Sequence, residues 1–255
     1  MTKHSQSKRI EGLDFARALA MFGMLIVNYT VIMGAEGNGP DWLVWFTELF
    51  QGRASATFVM LAGIGVSLMT RKARNGALSY VRENRVTLWK RSAFLFILGL
   101  LLYVVGWTGD ILHYYGVYML IASFLIMAST KLIVILSSIF LVISQILQVT
   151  LDYMNGWHPE QPFMEYLDFW TIEGFIRNLL FNGYHPVFPW ICFFLLGMIL
   201  GRLDLSKKVV RNKMLSLSLF LLIATDFLSK VLFRLSQSIL DVQSAEFLFQ
   251  TGPIP

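Results

Sequence analysis

Two groups of polar residues stand out against a largely apolar chain. Asp110 and His113 lie three apart in DILHYYGVYMLIASFLI, at the head of a long apolar run, and His185 immediately precedes Pro186 at the head of another, NGYHPVFPWICFFLLGMILGR. A carboxylate beside an imidazole orients the ring and stabilises its charged form, the usual support of a general base. Asp110 also stands where a helix N-cap belongs, and a cap needs no chemistry. Spacing alone leaves both readings open. A residue before proline is held in extended backbone, so His185 points away from the helix that follows. It reads equally as an interfacial polar residue among Tyr184, Phe188 and Trp190.

The second group lies on the first apolar run, RIEGLDFARALAMFGMLIVNY, from Arg9 to Tyr29. Asp14 and Arg17, three apart, share a helix face, and Arg17 and Asn28 are three turns apart, roughly 16 Å along the axis. Ionisable groups inside a span point to function, and this stripe would line a polar groove. The alternative is structural: Asp14 and Arg17 neutralise each other near the headgroups and Asn28 bonds a neighbouring helix. His4 and His158 have no supporting neighbours. A single cysteine, Cys192, rules out an intramolecular disulfide and any Cys-based metal site. The chain has no zinc-ligand spacing, phosphate loop or nucleophile elbow, so no metal is expected.

These residues must be held by membrane helices. The chain has 255 residues, of which 56% are hydrophobic and 15% charged, with a mean hydropathy of +0.60, and its polar stretches are too short to build a soluble domain. The expected architecture is all-α, one membrane-embedded domain over 1–255, with about seven spans and short interfacial helices. The spans are expected at about 13–33, 54–70, 92–107, 111–128, 132–151, 186–201 and 214–233. Trp42 and Trp45 suit an interfacial segment over 41–50, and 171–181 reads as an amphipathic helix with Glu173 and Arg177 paired four apart.

Basic residues cluster in the N-terminal tail (Lys3, Lys8, Arg9), between the second and third spans, and after the sixth, which places these segments and the N-terminus in the cytoplasm. The net charge of +5 thus reflects orientation and not nucleic-acid binding. With that topology Arg17 and Asp14 lie towards the cytoplasm. Asn28, Asp110, His113 and His185 lie towards the outer side, where Arg53 at the mouth of the second span faces an anionic substrate or a headgroup. An odd number of spans leaves the tail outside, and the closing TGPIP reads as a connection to further spans.

The blocks LDFARALAMFGMLIVN, FQGRASATFVMLAGIGVSLM, DILHYYGVYMLIASFLI and NGYHPVFPWICFFLLGMILGR together resemble the YeiB-like bacterial membrane proteins and the catalytic domain of heparan-alpha-glucosaminide N-acetyltransferases. The resemblance implies a cell-membrane acyltransferase with acyl-CoA as a cytosolic donor and an extracytoplasmic acceptor, a cell-envelope glycan or another hydroxyl or amine. Related membrane acyltransferases often carry a histidine near the end of the first span, where Asn28 stands here. On this reading Arg17, beside Asp14, holds the donor, Asn28 donates to the developing oxyanion, and His113 with Asp110, or else His185, takes the acceptor's proton. The competing reading is a transporter or export component whose path is lined by Asp14, Arg17, Asn28 and Asp226. The sequence contains no inverted repeat in its favour.

Overall fold

The computed structural model of the chain describes residues 10–74, 78–161 and 163–236, with Leu78, Phe233 and Ser236 described by their backbone alone. The tail cations Lys3, Lys8 and Arg9, the loop residue Asn75 and the closing TGPIP lie outside the described residues. The regular elements are helices: α1 (Glu11–Ile32), α2 (Asp41–Glu48), α3 (Arg53–Met69), α4 (Arg71–Arg74), α5 (Leu78–Val104), α6 (Leu112–Phe124), α7 (Thr130–Thr150), α8 (Ile172–Arg177) running into a π turn (Asn178–Asn182), α9 (Val187–Leu200) and α10 (Lys208–Ser236). Among the described residues the one β pairing is an isolated bridge between Trp157 and Tyr166.

Among the described residues, five stretches are long and apolar enough to cross a bilayer: Glu11–Ile32, Asp41–Met69 with α2 and α3 together, Ser79–Val104, Thr130–Thr150 and Lys208–Leu232. The pair Ile172–Asn182 and Val187–Leu200, bent by 48°, makes a sixth when read as one broken span. Rows of large apolar side chains face outwards, such as Phe15, Leu19, Phe22 and Leu25 on α1 and Ile135, Ile139, Val142 and Ile146 on α7. Water would not tolerate such rows, whereas lipid tails solvate them. This is the surface of a multi-pass integral membrane protein.

Residues Glu11–Arg202 form one compact unit, and α10 belongs to a second that begins at Leu203. Within α10, Lys230 and Asp226 pair at 2.7 Å across one turn. In the larger unit α3 is central, packing on α1, α6 and α9, while α5 packs on α6 and α7 on α9. Small residues decide this. A Cβ on Gly63 of α3 would strike the backbone of α9 at Phe194 and Met198, and one on Gly197 would strike Met60, so the two helices lie backbone to backbone. The same stretch of α3 also meets α1, since Gly65 lies against Arg17, whereas Ser67 lies against Gly201 just past α9.

Two boundaries differ from those read off the sequence. The basic stretch before the third span is largely helix, because nothing after Gly76 breaks it and Val81 and Leu88, seven apart, bury one face of α5. The fourth predicted span, 111–128, contains a helix of only 13 residues, α6, which ends at Phe124. Seven of those residues are buried, from His113 to Ser123. A helix sheathed by protein is not held to the bilayer's length.

The C-terminal end of α6 and the turn after it are pinned by groups from either side. The Arg85 Nε donates to the Ser123 carbonyl (3.2 Å) and the Trp89 indole to the Ser123 hydroxyl (2.8 Å), while Arg202 Nη2 holds the turn that follows through the Ala128 carbonyl (2.9 Å). Arg74 does the same for α3 through the Ser67 carbonyl (2.8 Å). Basic residues that the sequence assigns to orientation thus also satisfy free carbonyls at helix C-termini, where cations are favoured.

Candidate functional site

At the opposite end of α6 the helix begins under Asp110. Its Oδ1 accepts from the Leu112 amide (2.8 Å), and its Oδ2 accepts from the His113 amide (3.1 Å) and lies 2.8 Å from His113 Nδ1. The carboxylate caps the helix and orients the imidazole at once, so the cap and the contact with the ring that the spacing allows do not exclude each other. The side chains of the pair are 0% and 1% exposed. With Asp110 as the acceptor at Nδ1, the proton belongs on Nδ1 and the lone pair on Nε2. Nε2 is buried and has no partner among the described residues. A buried basic nitrogen without a partner is a cost that a substrate's proton would relieve.

The walls around the pair are aromatic. The His113 ring lies 3.7 Å from the Tyr114 ring, 5.3 Å from Tyr103 and 6.1 Å from Phe169, centroid to centroid. α5 comes close because position 99 is glycine: a Cβ there would run into the His113 amide and the Asp110 carboxylate. His185 arrives from the turn before α9. Its ring lies 4.6 Å from Trp190 and 6.3 Å from Tyr114, and it meets the Asp110 main chain. The His185 carbonyl accepts from Tyr118 Oη. His185 Nδ1 is also buried without a partner among the described residues. The structure therefore brings Asp110, His113 and His185 together around Tyr114, although they come from two separate stretches of the chain.

A loop over residues 151–171 covers this cluster. The Thr108 hydroxyl donates to the Phe163 carbonyl (3.0 Å), Phe169 stacks on Tyr103 at 3.7 Å, and Trp157 Nε1 donates to the Asn182 carbonyl (2.8 Å). Arg177 holds the loop's end through both oxygens of Asp168 (2.7 and 2.6 Å). Its predicted partner Glu173 is farther, at 3.6 Å, because its carboxylate is solvent-facing while that of Asp168 turns inwards. Burial pushes the Tyr166 phenol up, which keeps it a neutral donor to Asn182 (2.8 Å). Beneath, Tyr114 Oη donates to Asn178 Oδ1 (2.6 Å) and receives the Tyr184 amide (3.2 Å). Sequence reading passed over Tyr103, Tyr114 and Asn178. The available signal was Asn178 and Asn182, four apart on one face of an apolar segment.

The remaining candidates lie elsewhere. Arg17 pairs with Asp14 at 3.1 Å, both about one-third exposed, and its other guanidinium nitrogen approaches Gly65 of α3. Asn28 is half-buried near the far end of α1, whose main packing partner is α3 and not α6. The structure does not bring it beside His113, since α3 lies between α1 and α6. The cleft at that end of α1 is lined by Val27, Thr30, Glu36, Thr47, Glu48 and Gln51 and contains no histidine. Arg53 is exposed and donates to the Glu48 and Leu49 carbonyls (3.2 and 3.4 Å), finishing α2. Among the described residues no group of three His, Cys, Asp or Glu side chains is arranged to hold a metal ion.

No curated protein and no solved structure matches the chain. Residues 9–231, which include the whole Asp110, His113 and His185 cluster, match the family model described as heparan-alpha-glucosaminide N-acetyltransferase, catalytic, and the chain belongs to that family of membrane acetyltransferase domains.

Proposed function

We propose that the protein is a cell-membrane acyltransferase that moves an acetyl-like group from cytosolic acyl-CoA to a sugar or other hydroxyl or amine acceptor on the far side. The observation that carries this reading is the buried Asp110–His113 pair with its unpartnered Nε2. The family supports the reaction class, since its described member transfers an acetyl group to a glucosaminide. In this scheme His113 Nε2 takes the proton as the acceptor's oxygen or nitrogen attacks the thioester carbonyl. The carbon–sulfur bond breaks, and the thiol leaves with a proton. Asp110 holds the ring in the productive tautomer and stabilises the imidazolium. His185 Nδ1 offers a second hydrogen-bonding position beside it, and Tyr103, Tyr114 and Phe169 supply flat apolar walls of the kind that stack on a sugar ring.

We count α6 as a crossing. α5 and α6 run antiparallel, with Gly99 facing His113 and Trp89 facing Ser123, and α6 runs in the same direction as its neighbour α9. That gives seven crossings along the chain, with the N-terminus and the arginine-rich end cytoplasmic. Arg17 then stands at the donor's side and the histidines on the acceptor's. Asn28 has no role at His113 in this scheme, and Arg53 serves α2. A transporter would need no carboxylate-oriented imidazole, which favours the enzyme. Purified protein given radiolabelled acetyl-CoA and a glucosamine acceptor tests the proposal. Label should pass to the acceptor in the wild type and not in His113→Ala, and a wild type that neither transfers nor hydrolyses the label overturns it.

A further inference from the structure

At the arginine-rich end, two cations converge on one face of α3 from different helices. Gly65 and Met69 are four apart and so lie on the same face, about one turn from each other. Arg17 of α1 brings Nη2 to 3.4 Å from where a Gly65 Cβ would be, so the missing side chain leaves its place to the guanidinium. Arg91 of α5 brings Nη1 to 3.9 Å from Met69 Sδ. A thioether is a poor acceptor, and among the described residues Arg91 has no carboxylate within 4 Å. Asp14 neutralises one charge at most, so the pair keeps a net positive charge between two helices. Tyr115 of α6 lies within electrostatic reach of both guanidinium groups.

Like charges brought to one place, with unused donors in fork geometry, suit an anion with several oxygens. We infer that Arg17 and Arg91, across the Gly65–Met69 face of α3, form a phosphate-binding site at the end of the bundle opposite His113. Two sources have this chemistry: the diphosphate of a soluble acyl-CoA donor, or the phosphate of a lipid headgroup. The first rests on the acyltransferase reading; the second does not.

Binding to the full chain in neutral detergent separates them. The probes are inorganic pyrophosphate, acetyl-CoA and nanodiscs with or without phosphatidylglycerol, read by calorimetry or thermophoresis without turnover. For a donor site, pyrophosphate competes with acetyl-CoA, and Arg91→Gln weakens both roughly tenfold to a hundredfold, as loss of a charge-assisted hydrogen bond predicts. Arg91→Lys should recover part of that loss, and Arg82→Gln, an equal change of charge at an exposed position on the same helix, should change little. For a headgroup site, pyrophosphate does not bind, and Arg91→Gln instead abolishes a preference for phosphatidylglycerol. If neither anion binds, or Arg91→Gln and Arg82→Gln behave alike while the proteins unfold at the wild-type temperature, the site is refuted. A protein that binds pyrophosphate through Arg91 but transfers no acetyl group keeps this site and loses the enzyme reading.

Discussion

Asp110 carries two loads, a cap and an imidazole, and substitutions can take them off one at a time. Asp110→Ala removes acceptors for two backbone amides and for His113 Nδ1. The lost cap costs about 1–2 kcal/mol, and the lost charge-assisted bond to a buried ring about as much again or somewhat more. A destabilisation of roughly 2–5 kcal/mol follows, with activity lost alongside. Asp110→Asn is the sharper experiment. With the amide oxygen in the place of Oδ1 it still accepts from the Leu112 amide, so part of the cap survives, while the His113 amide loses its acceptor and the loss is about 1–3 kcal/mol. The amide nitrogen, however, is a donor, and facing it the His113 ring must turn its lone pair to Nδ1 and its proton to Nε2. The base then points the wrong way. Acyl transfer should fall by about two to four powers of ten, equivalent to roughly 3–5.5 kcal/mol of barrier, more than the change in stability. His113→Asn is the complement, since its amide still donates to Asp110 but is not basic. It should be as inactive as Asp110→Asn and nearly as stable as the wild type. The assay is label transfer from acetyl-CoA in proteoliposomes, alongside thermal unfolding in detergent. Near-wild-type transfer by Asp110→Asn would reduce Asp110 to a cap, and an active His113→Asn would pass the base to His185.

Gly99→Ala places a methyl group against the His113 amide and the Asp110 carboxylate. The cost should be about 1–3 kcal/mol in unfolding free energy, with transfer reduced more than the unfolding midpoint implies because α6 moves away from the cluster. Asp168→Asn weakens the Arg177 fork that holds the covering loop; unfolding should shift by about 1 kcal/mol or less, while amide exchange over 151–171 rises severalfold. For topology, Glu36→Cys and Glu160→Cys should react with an impermeant maleimide in intact cells and Asn75→Cys should not. Labelling at position 75 inverts the orientation.

Local relations were legible in the sequence. The three-residue spacings of Asp110 with His113 and Asp14 with Arg17 both become contacts, at 2.8 and 3.1 Å, because a helix puts such residues on one face. The turn between α2 and α3 falls at Gly52, whose backbone φ of +66° suits glycine. Tertiary relations were not legible. His185 joins His113 only because α6 and α9 pack together, and nothing in either segment names the other. Asn28 and His113 were given roles in one reaction, but the glycines of α3 bring that helix to the centre, against α1 and α9. α5 begins well before the span expected at 92–107, since charge moves a helix out of the bilayer without breaking it.

The shortness of α6 bears on how the cluster works. At 1.5 Å per residue its 13 residues span about 20 Å, some 10 Å less than a hydrocarbon core. Its C-terminal end is held by Arg85 and Trp89, so the shortfall falls at the other end, beneath the loop over 151–171. On the proposed topology Asp110 and His113 then lie below the outer face of the bilayer, roofed by protein. In such surroundings a carboxylate–imidazole bond is stronger than at a surface, and an unpartnered Nε2 is costlier. On the acyltransferase reading, the same displacement shortens the distance an acyl group has to cover between a donor at the arginine-rich end and an acceptor at Nε2. Contacts from Thr108, Phe169 and Trp157 lie over the cluster, so on that reading an acceptor would reach Nε2 by displacing the loop or from the side between helices. The Arg177–Asp168 fork is therefore where acceptor access and loop stability meet.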